Sequence, residues 1–150
     1  MTNILIFGAG SIGNHFANAS IKLGYNVYVT DISSYALTRM KKEVYPRRYG
    51  KWNDKIKLVK YKSIFNNTEL PIFDLIIIGT PPKTHYKLLT KIIKKLSFQK
   101  IMIEKPFSVY REKINYNLLN KLPKNKFIFV GDNHSIGDGF LYFVSLLKKI

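Results

Sequence analysis

Three glycines within six residues constrain the fold of this chain more than any other feature of its sequence. Gly8, Gly10 and Gly13 directly follow the apolar run Asn3–Phe7 and open residues 12–23, where apolar side chains recur every three or four positions. The first run is typical of a strand buried on both faces, and the second of an amphipathic helix. The glycines therefore predict a tight turn between a strand and a helix.

The rest of the chain alternates between strand and helix patterns. Further strands are predicted at residues 26–30, 56–61 (near a sheet edge), 73–78, 101–103 and 126–130. Helices are predicted at residues 33–42, 83–96, 110–122 and 137–150, with no regular pattern over 43–55 and a loop at Asn66, Asn67 and Pro71. Such alternation predicts an α/β fold with a mostly parallel, doubly wound sheet of about six strands, the Rossmann type.

The glycine loop, Gly8-Ala9-Gly10-Ser11-Ile12-Gly13, has the spacing of a dinucleotide-binding loop. In such loops the first glycine permits the turn and the second lets the backbone approach a pyrophosphate. The third lets the helix pack closely on the strand. The N-terminus of the helix then offers free N–H groups and the positive end of its dipole to the phosphates.

An acidic residue supports this interpretation. Asp31 ends the second predicted strand, 18 residues after Gly13. This is near the roughly 20-residue offset of the carboxylate that accepts the adenosine ribose hydroxyls. A carboxylate repels a 2′-phosphate, so Asp31 favours NAD over NADP, although the nearby Arg39 and Lys41 keep NADP open.

Composition argues against several other classes of protein. The absence of cysteine excludes disulfides, thiolate metal sites and cysteine nucleophiles, and we expect no metal site. No apolar run approaches the roughly 18 residues that span a membrane, and the first residues lack a basic start, so we expect a cytoplasmic protein. The net charge of +16 would suit a nucleic acid, but the lysines are spread along the whole chain, which favours a solvated surface.

Two later segments carry a resemblance to a known family. Gly79-Thr80-Pro81-Pro82-Lys83-Thr84-His85 ends one predicted strand, and Glu104-Lys105-Pro106-Phe107 ends the next. Together with the glycine loop, they resemble the glucose–fructose oxidoreductase, inositol dehydrogenase and rhizopine catabolism family, over about residues 1–134. Its members are NAD(P)-dependent oxidoreductases that act mostly on sugars, cyclitols and nucleotide sugars.

The loop motif and this resemblance together assign the candidate site. The residues expected to bind the cofactor are Gly8, Gly10, Ser11, Ile12, Gly13, Asp31, Thr80, Pro81, His85, Glu104 and Lys105. Lys105 is the expected catalytic residue, because a lysine at a strand's carboxyl end can stabilise alkoxide charge while hydride moves to the nicotinamide. Glu104 would orient or neutralise it. The alternatives are that Lys105 is one surface lysine among many and that His85 is a capping or packing residue.

The chain also departs from the family pattern. Phe16 holds a position at which the family usually has a histidine, so we interpret the preceding His15 as a surface or packing residue. Ser135 stands where the family segment normally carries an arginine, two residues after Asn133. Family members continue with a second, antiparallel domain that supplies much of the substrate pocket and completes the acid–base set.

The expected organisation is one NAD(P)-binding domain over residues 1–150, in which residues 136–150 lead toward a missing substrate domain. We expect such a chain to bind NAD and a sugar-like substrate but to be incomplete for catalysis. A partner domain or a second copy of the chain could cover its last helix. The alternatives are a non-catalytic nucleotide-binding module and, less favoured, a basic nucleic-acid-binding protein.

Overall fold

The structure is a computed structural model that describes residues 2–66 and 69–131. Within that part, the strands are β1 (Asn3–Phe7), β2 (Asn26–Asp31), β3 (Ile56–Lys60), β4 (Phe73–Ile78), β5 (Phe98–Glu104) and β6 (Phe127–Gly131). They form one parallel sheet in the order β3-β2-β1-β4-β5-β6. The predicted doubly wound sheet of about six strands is confirmed, as is the position of β3 at an edge.

Helical segments connect these strands. They are α1 (Ser11–Lys22), α2 (Ser34–Arg39), a π-helical turn (Met40–Val44), α3 (Tyr45–Tyr49), α4 (Tyr61–Asn66), a 3₁₀ turn (Pro82–Thr84), α5 (His85–Lys95) and α6 (Tyr116–Asn120). α1 begins immediately after the glycine loop. α2 begins where Ser33 Oγ accepts a hydrogen bond from the Ala36 N–H at 3.2 Å and so caps the helix.

Apolar side chains cover both faces of the sheet. One face packs on α4 and α5 through a buried set that includes Ile64, Leu88, Leu89 and Ile92. The opposite face packs on α1 and α2 and on the segment after α2, through a set that includes Ala17, Leu37, Met40 and Tyr45. Because successive residues of a strand point to opposite faces, β1 and β4 contribute to both cores, and each buried Leu or Ile side chain contributes about 1.5–3 kcal/mol.

The helix after β2 is longer than predicted. Residues 43–55 were expected to lack regular structure, and this is wrong for the part up to Tyr49, because the π-helical turn and α3 continue α2. Contacts between aromatic side chains, and not a helical repeat of apolar residues, stabilise this segment. Tyr45 is 3% exposed and lies edge-on to Tyr49 and Trp52, with ring centroids 5.1 Å apart in both pairs.

Two further predictions of secondary structure are wrong. Asn66, expected in a loop, ends α4, whose Ile64 is buried in the core. The helix predicted at residues 110–122 is reduced to α6, five residues that begin after the capping Asn115. The helix predicted at residues 137–150 lies outside the described residues, as do Asn133 and Ser135.

Candidate functional site

The carboxyl ends of four neighbouring strands lie side by side. They form one edge of the sheet, the edge at which its strands end. A single row of paired residues crosses β2, β1, β4 and β5 at Thr30, Phe7, Ile78 and Ile103. The residues that follow them are, in the same order, Asp31, Gly8, Gly79 and Glu104. This row spans three inter-strand gaps, about 14 Å. Chain order reverses between β1 and β4, and a crevice at that point is where open α/β sheets bind ligands.

The three loop glycines meet different constraints. Gly8 has φ +107°, and a Cβ on it would lie 2.7 Å from Gly79 O. A Cβ on Gly13 would lie 1.8 Å from Gly8 O, so α1 can pack on β1 only if residue 13 has no side chain. A Cβ on Gly10 would meet no described atom within 4 Å. The protein's own packing therefore requires Gly8 and Gly13, whereas Gly10 leaves space on the outer side of the loop for a ligand.

Asp31 is held against this loop. Its Oδ2 accepts a hydrogen bond from the Ala9 N–H at 2.8 Å, and its Oδ1 accepts one from the Ser33 N–H at 2.9 Å. These two bonds fix the half-buried carboxylate beside the glycine loop. Each oxygen keeps a second lone pair, which can accept from a hydroxyl group.

Asn14 supports the loop from within α1, a role that the sequence reasoning missed. The side chain is fully buried, and its Nδ2 donates to Gly10 O at 2.8 Å and to Ala9 O at 3.2 Å. These bonds hold the carbonyl groups of Ala9 and Gly10 against the first turn of α1. An asparagine one position after the last glycine was the signal available in the sequence.

The loops after β4 and β5 are joined by a buried histidine. His85 is fully buried, with Nε2 2.6 Å from Thr80 O and Nδ1 2.8 Å from Pro106 O. Thr84 Oγ1 also donates to Pro81 O at 2.7 Å. The two loops are thus joined, and His85 contacts the backbone of each, in keeping with a packing role. Contact of His85 with a cofactor stays a prediction.

Lys105 follows β5 directly and is exposed. In residues 2–66 and 69–131 it makes no hydrogen bond or ion pair, so Glu104 does not pair with it. Instead Glu104 Oε1 lies toward β6, 3.6 Å from the point that a Cβ on Gly131 would occupy. The role of Lys105 toward a ligand stays a prediction.

A basic residue that the sequence reasoning did not select also reaches this edge. Arg48 of α3 donates from Nη1 to Ser11 Oγ at 2.8 Å, at the first turn of α1. The same nitrogen lies 3.3 Å from His15 Nε2, and His15 Nδ1 contacts the Tyr49 hydroxyl. A contact between residues 37 positions apart leaves no periodic pattern in the sequence, and the only signal was the run Tyr45–Tyr49 with two adjacent arginines.

No group of three or more His, Cys, Asp or Glu in the described part of the chain could hold a metal ion. Across the same residues, no helix is both long enough and apolar enough to cross a membrane.

A doubly wound parallel sheet with a glycine loop at the switch point, and an aspartate held beside that loop, defines a Rossmann-type dinucleotide-binding domain. Residues 2–129 match the model of the glucose–fructose oxidoreductase, inositol dehydrogenase and rhizopine catabolism family, described as an oxidoreductase family with an NAD-binding Rossmann fold. The chain belongs to this family, as the motifs predicted, and NAD is the cofactor that the family description names.

Solved structures share the fold. The WlbA dehydrogenase from Chromobacterium violaceum, in complex with NADH and UDP-GlcNAcA, has a TM-score of 0.71 and 18% identity over 99% of this chain. The scyllo-inositol dehydrogenase from Lactobacillus casei has a TM-score of 0.71 and 19% identity, also over 99%. RSP, a Rex-family repressor, has a TM-score of 0.59 and 18% identity over 100% of this chain.

These structures are longer than this chain. The match covers 40% of the WlbA chain, 43% of the inositol dehydrogenase and 63% of the repressor. Among curated proteins, none matches the sequence.

Proposed function

We propose that this chain is the cofactor-binding part of an NAD-dependent oxidoreductase that acts on a hydroxyl group of a sugar, cyclitol or nucleotide sugar. The observation that carries the proposal is the aligned row at the strand ends. It brings Asp31, the glycine loop, the Thr80–His85 loop and Lys105 to one edge of the sheet. On this edge, the residues proposed for the adenosine half and for the reacting half of the cofactor lie on opposite sides of the switch point.

The residues present fit a dinucleotide. The open space beyond Gly10 admits a pyrophosphate, which the N–H groups of Ser11 and Ile12 would bind at the start of α1. Asp31 would accept the adenosine ribose hydroxyls. Ile32, which follows it, is 86% exposed and offers an apolar surface to the adenine.

The nicotinamide end would lie at the loops after β4 and β5. Thr80 and Pro81 would border the ring, with His85 fixing both loops from below. Glu104 would lie on the outer side, toward β6. These assignments use the residues that directly follow the aligned strand ends, which is where ligands of this sheet type are bound.

Lys105 is the proposed catalytic residue. When bound, NAD would supply the acceptor for the hydride that leaves the substrate carbon, and the hydroxyl proton would pass to a base of the second domain as the carbonyl forms. The Lys105 ammonium would donate to the substrate oxygen and stabilise its developing negative charge. Lys105 is exposed and has no partner among the described residues, which suits a residue that binds a ligand.

The remainder of the substrate pocket would come from a second domain. The chain spans 40% and 43% of the two dehydrogenases described above, which supports this proposal. UDP-GlcNAcA in the WlbA complex and the name of the inositol dehydrogenase support a sugar-like or cyclitol substrate. We therefore propose that residues 1–150 bind NAD alone but turn over poorly without that domain.

Calorimetric titration with NAD and NADP at two salt concentrations tests the proposal. Saturable binding that prefers NAD and changes little with salt is the expected result. Weak binding to both dinucleotides that vanishes as salt rises would contradict it, since the +16 charge would then explain the signal.

A second candidate is a nucleotide-binding module without chemistry, because a repressor shares the fold. The two candidates differ in the activity expected when a second domain is supplied to the chain. NAD reduction with a sugar or cyclitol favours the oxidoreductase. NAD binding without any reduction favours the module.

A further inference from the structure

Arg48 lies where a cation is electrostatically unfavourable in the protein alone. Its Nη1 donates to Ser11 Oγ at 2.8 Å and to Ser11 O at 3.4 Å, on the first residue of the 12-residue helix α1. The N-terminus of a helix carries a partial positive charge, so an anion stabilises it and a cation does not. The first turn of α1 contains no acidic residue, and its N-cap, Gly10, offers no side chain.

The fold places Arg48 there by a specific route. A π-helical turn joins α2 to α3, and such turns occur frequently at functional sites. Burial of Tyr45 then fixes α3 against α1, where its hydroxyl contacts Asn18 Oδ1 at 3.3 Å. The Arg48 position is thus built from packed elements and is not the chance position of one long side chain.

A hydrogen-bonded histidine orients the guanidinium. The neutral tautomer of His15 with its proton on Nδ1 donates to the Tyr49 hydroxyl and accepts from Arg48 Nη1 through Nε2. All of these bonds use Nη1. Among the described residues, Nε and Nη2 of Arg48 have no partner, so the guanidinium keeps donors for a ligand.

A carboxylate that lines the same small cavity as Arg48 does not pair with it. This is Glu43, whose carboxylate lies 3.6 Å from Arg39 Nε. Arg48 therefore contacts the start of α1 without an ion-pair partner in the described chain. An anion bound at the loop would compensate both the Arg48 charge and the helix dipole.

We propose that Arg48 is a further ligand of the cofactor's pyrophosphate. The inference rests on the proposed function and adds a residue that neither the glycine motif nor the strand ends include. The pyrophosphate is favoured over a 2′-phosphate because Arg48 contacts the first residue of α1. A 2′-phosphate would lie at Asp31, and Arg39 of α2 is the closer cation in the sequence to that position.

Titration of NAD and NADP into Arg48→Gln tests the proposal. We expect about a tenfold loss of affinity for both dinucleotides, the size of one charge-assisted hydrogen bond. Arg48→Lys should recover part of the loss, because it restores the charge without the planar donor group. The matched control is Arg47→Gln, which removes the same charge from an adjacent exposed position and should change affinity less than about twofold.

The thermal midpoint of the ligand-free variants separates binding from a structural role. If Arg48 serves the ligand, Arg48→Gln should melt at the wild-type temperature or slightly above it, since an unfavourable charge is removed. A lower midpoint with unchanged NAD affinity would overturn the proposal. So would a loss confined to NADP, which would place Arg48 at a 2′-phosphate. If wild type binds neither dinucleotide, the proposed function itself fails, whereas wild-type binding that Arg48→Gln leaves intact sinks only this inference.

Discussion

Replacement of Gly10 or Gly13 by alanine should separate the two demands on the glycine loop. Both changes add one methyl group within the same loop. At Gly13 the new Cβ would lie 1.8 Å from Gly8 O, whereas at Gly10 no described atom lies within 4 Å. The backbone at Gly10, φ −78° and ψ −163°, is one that alanine readily adopts. We therefore expect Gly13→Ala to damage the fold and Gly10→Ala to damage only ligand binding.

The size of the Gly13 effect follows from the contact. To reach an ordinary separation of 3.4 Å, Gly8 O and the new Cβ must move apart by about 1.6 Å, and both belong to rigid packed elements. Overpacking of this kind lowers the free energy of unfolding by about 1–3 kcal/mol or more. The better helix propensity of alanine offsets about 1 kcal/mol of this loss. A net loss of about 2 kcal/mol would lower the thermal midpoint of a domain of this size by about 4–8 °C.

Gly10→Ala should behave differently. Alanine is a poorer N-cap than glycine, but the change in the free energy of unfolding should stay within about 1 kcal/mol. The methyl group would occupy the space through which the pyrophosphate approaches the backbone, so NAD affinity should fall tenfold or more, about 1.4 kcal/mol.

Thermal melts and calorimetric titration of both variants check this pair of expectations. Equal loss of thermal stability in both would show that Gly10 is also a packing glycine. Wild-type affinity for NAD in a folded Gly10→Ala protein would refute the placement of the pyrophosphate at this loop.

Two further predictions concern titratable side chains. Asp31→Ala should weaken NAD binding about tenfold and reduce discrimination against NADP; Asp31→Asn, which keeps one acceptor oxygen, controls for the lost hydrogen bond to Ala9, and unchanged selectivity in both variants would contradict the role of Asp31. Burial, and then the neighbouring Tyr49, raises the pKa of Tyr45 above its ordinary value of 10.0. The folded state therefore holds that proton more tightly, and its stabilising contribution is complete below about pH 10 and lost as pH rises further. Urea unfolding should show a steeper fall in stability across that range for wild type than for Tyr45→Phe, and parallel curves would refute the assignment.

The strands and the glycine loop were predictable because their signals are local. Phe73–Ile78 is apolar at every position except Asp74, and Asp31 stands at a fixed distance from Gly13, so neither needed knowledge of tertiary contacts. The parallel topology then placed Lys105 at the same edge by a general rule of α/β sheets.

Arg48 was missed because its contacts depend on packing between distant segments. His15 acquires partners only because α3 lies against α1, and α3 itself is held by aromatic contacts that have no helical period. The prediction of a helix over residues 110–122 was wrong for a different reason, a lack of packing. Its sequence pattern suggests a helix, yet Val109, Tyr110 and Tyr116 are exposed, so no core packing stabilises the longer helix.

The site divides into groups that the fold requires and groups that only a ligand would require. Gly8, Gly13 and His85 are buried and closely packed or hydrogen-bonded in the protein alone. Gly10 and Lys105 are exposed, and each retains open space or donors that the described chain does not fill. Substitutions in the first group alter stability and binding together, so they cannot report on chemistry. Substitutions in the second group leave the packed framework intact, and a change in dinucleotide affinity there reports on the ligand itself.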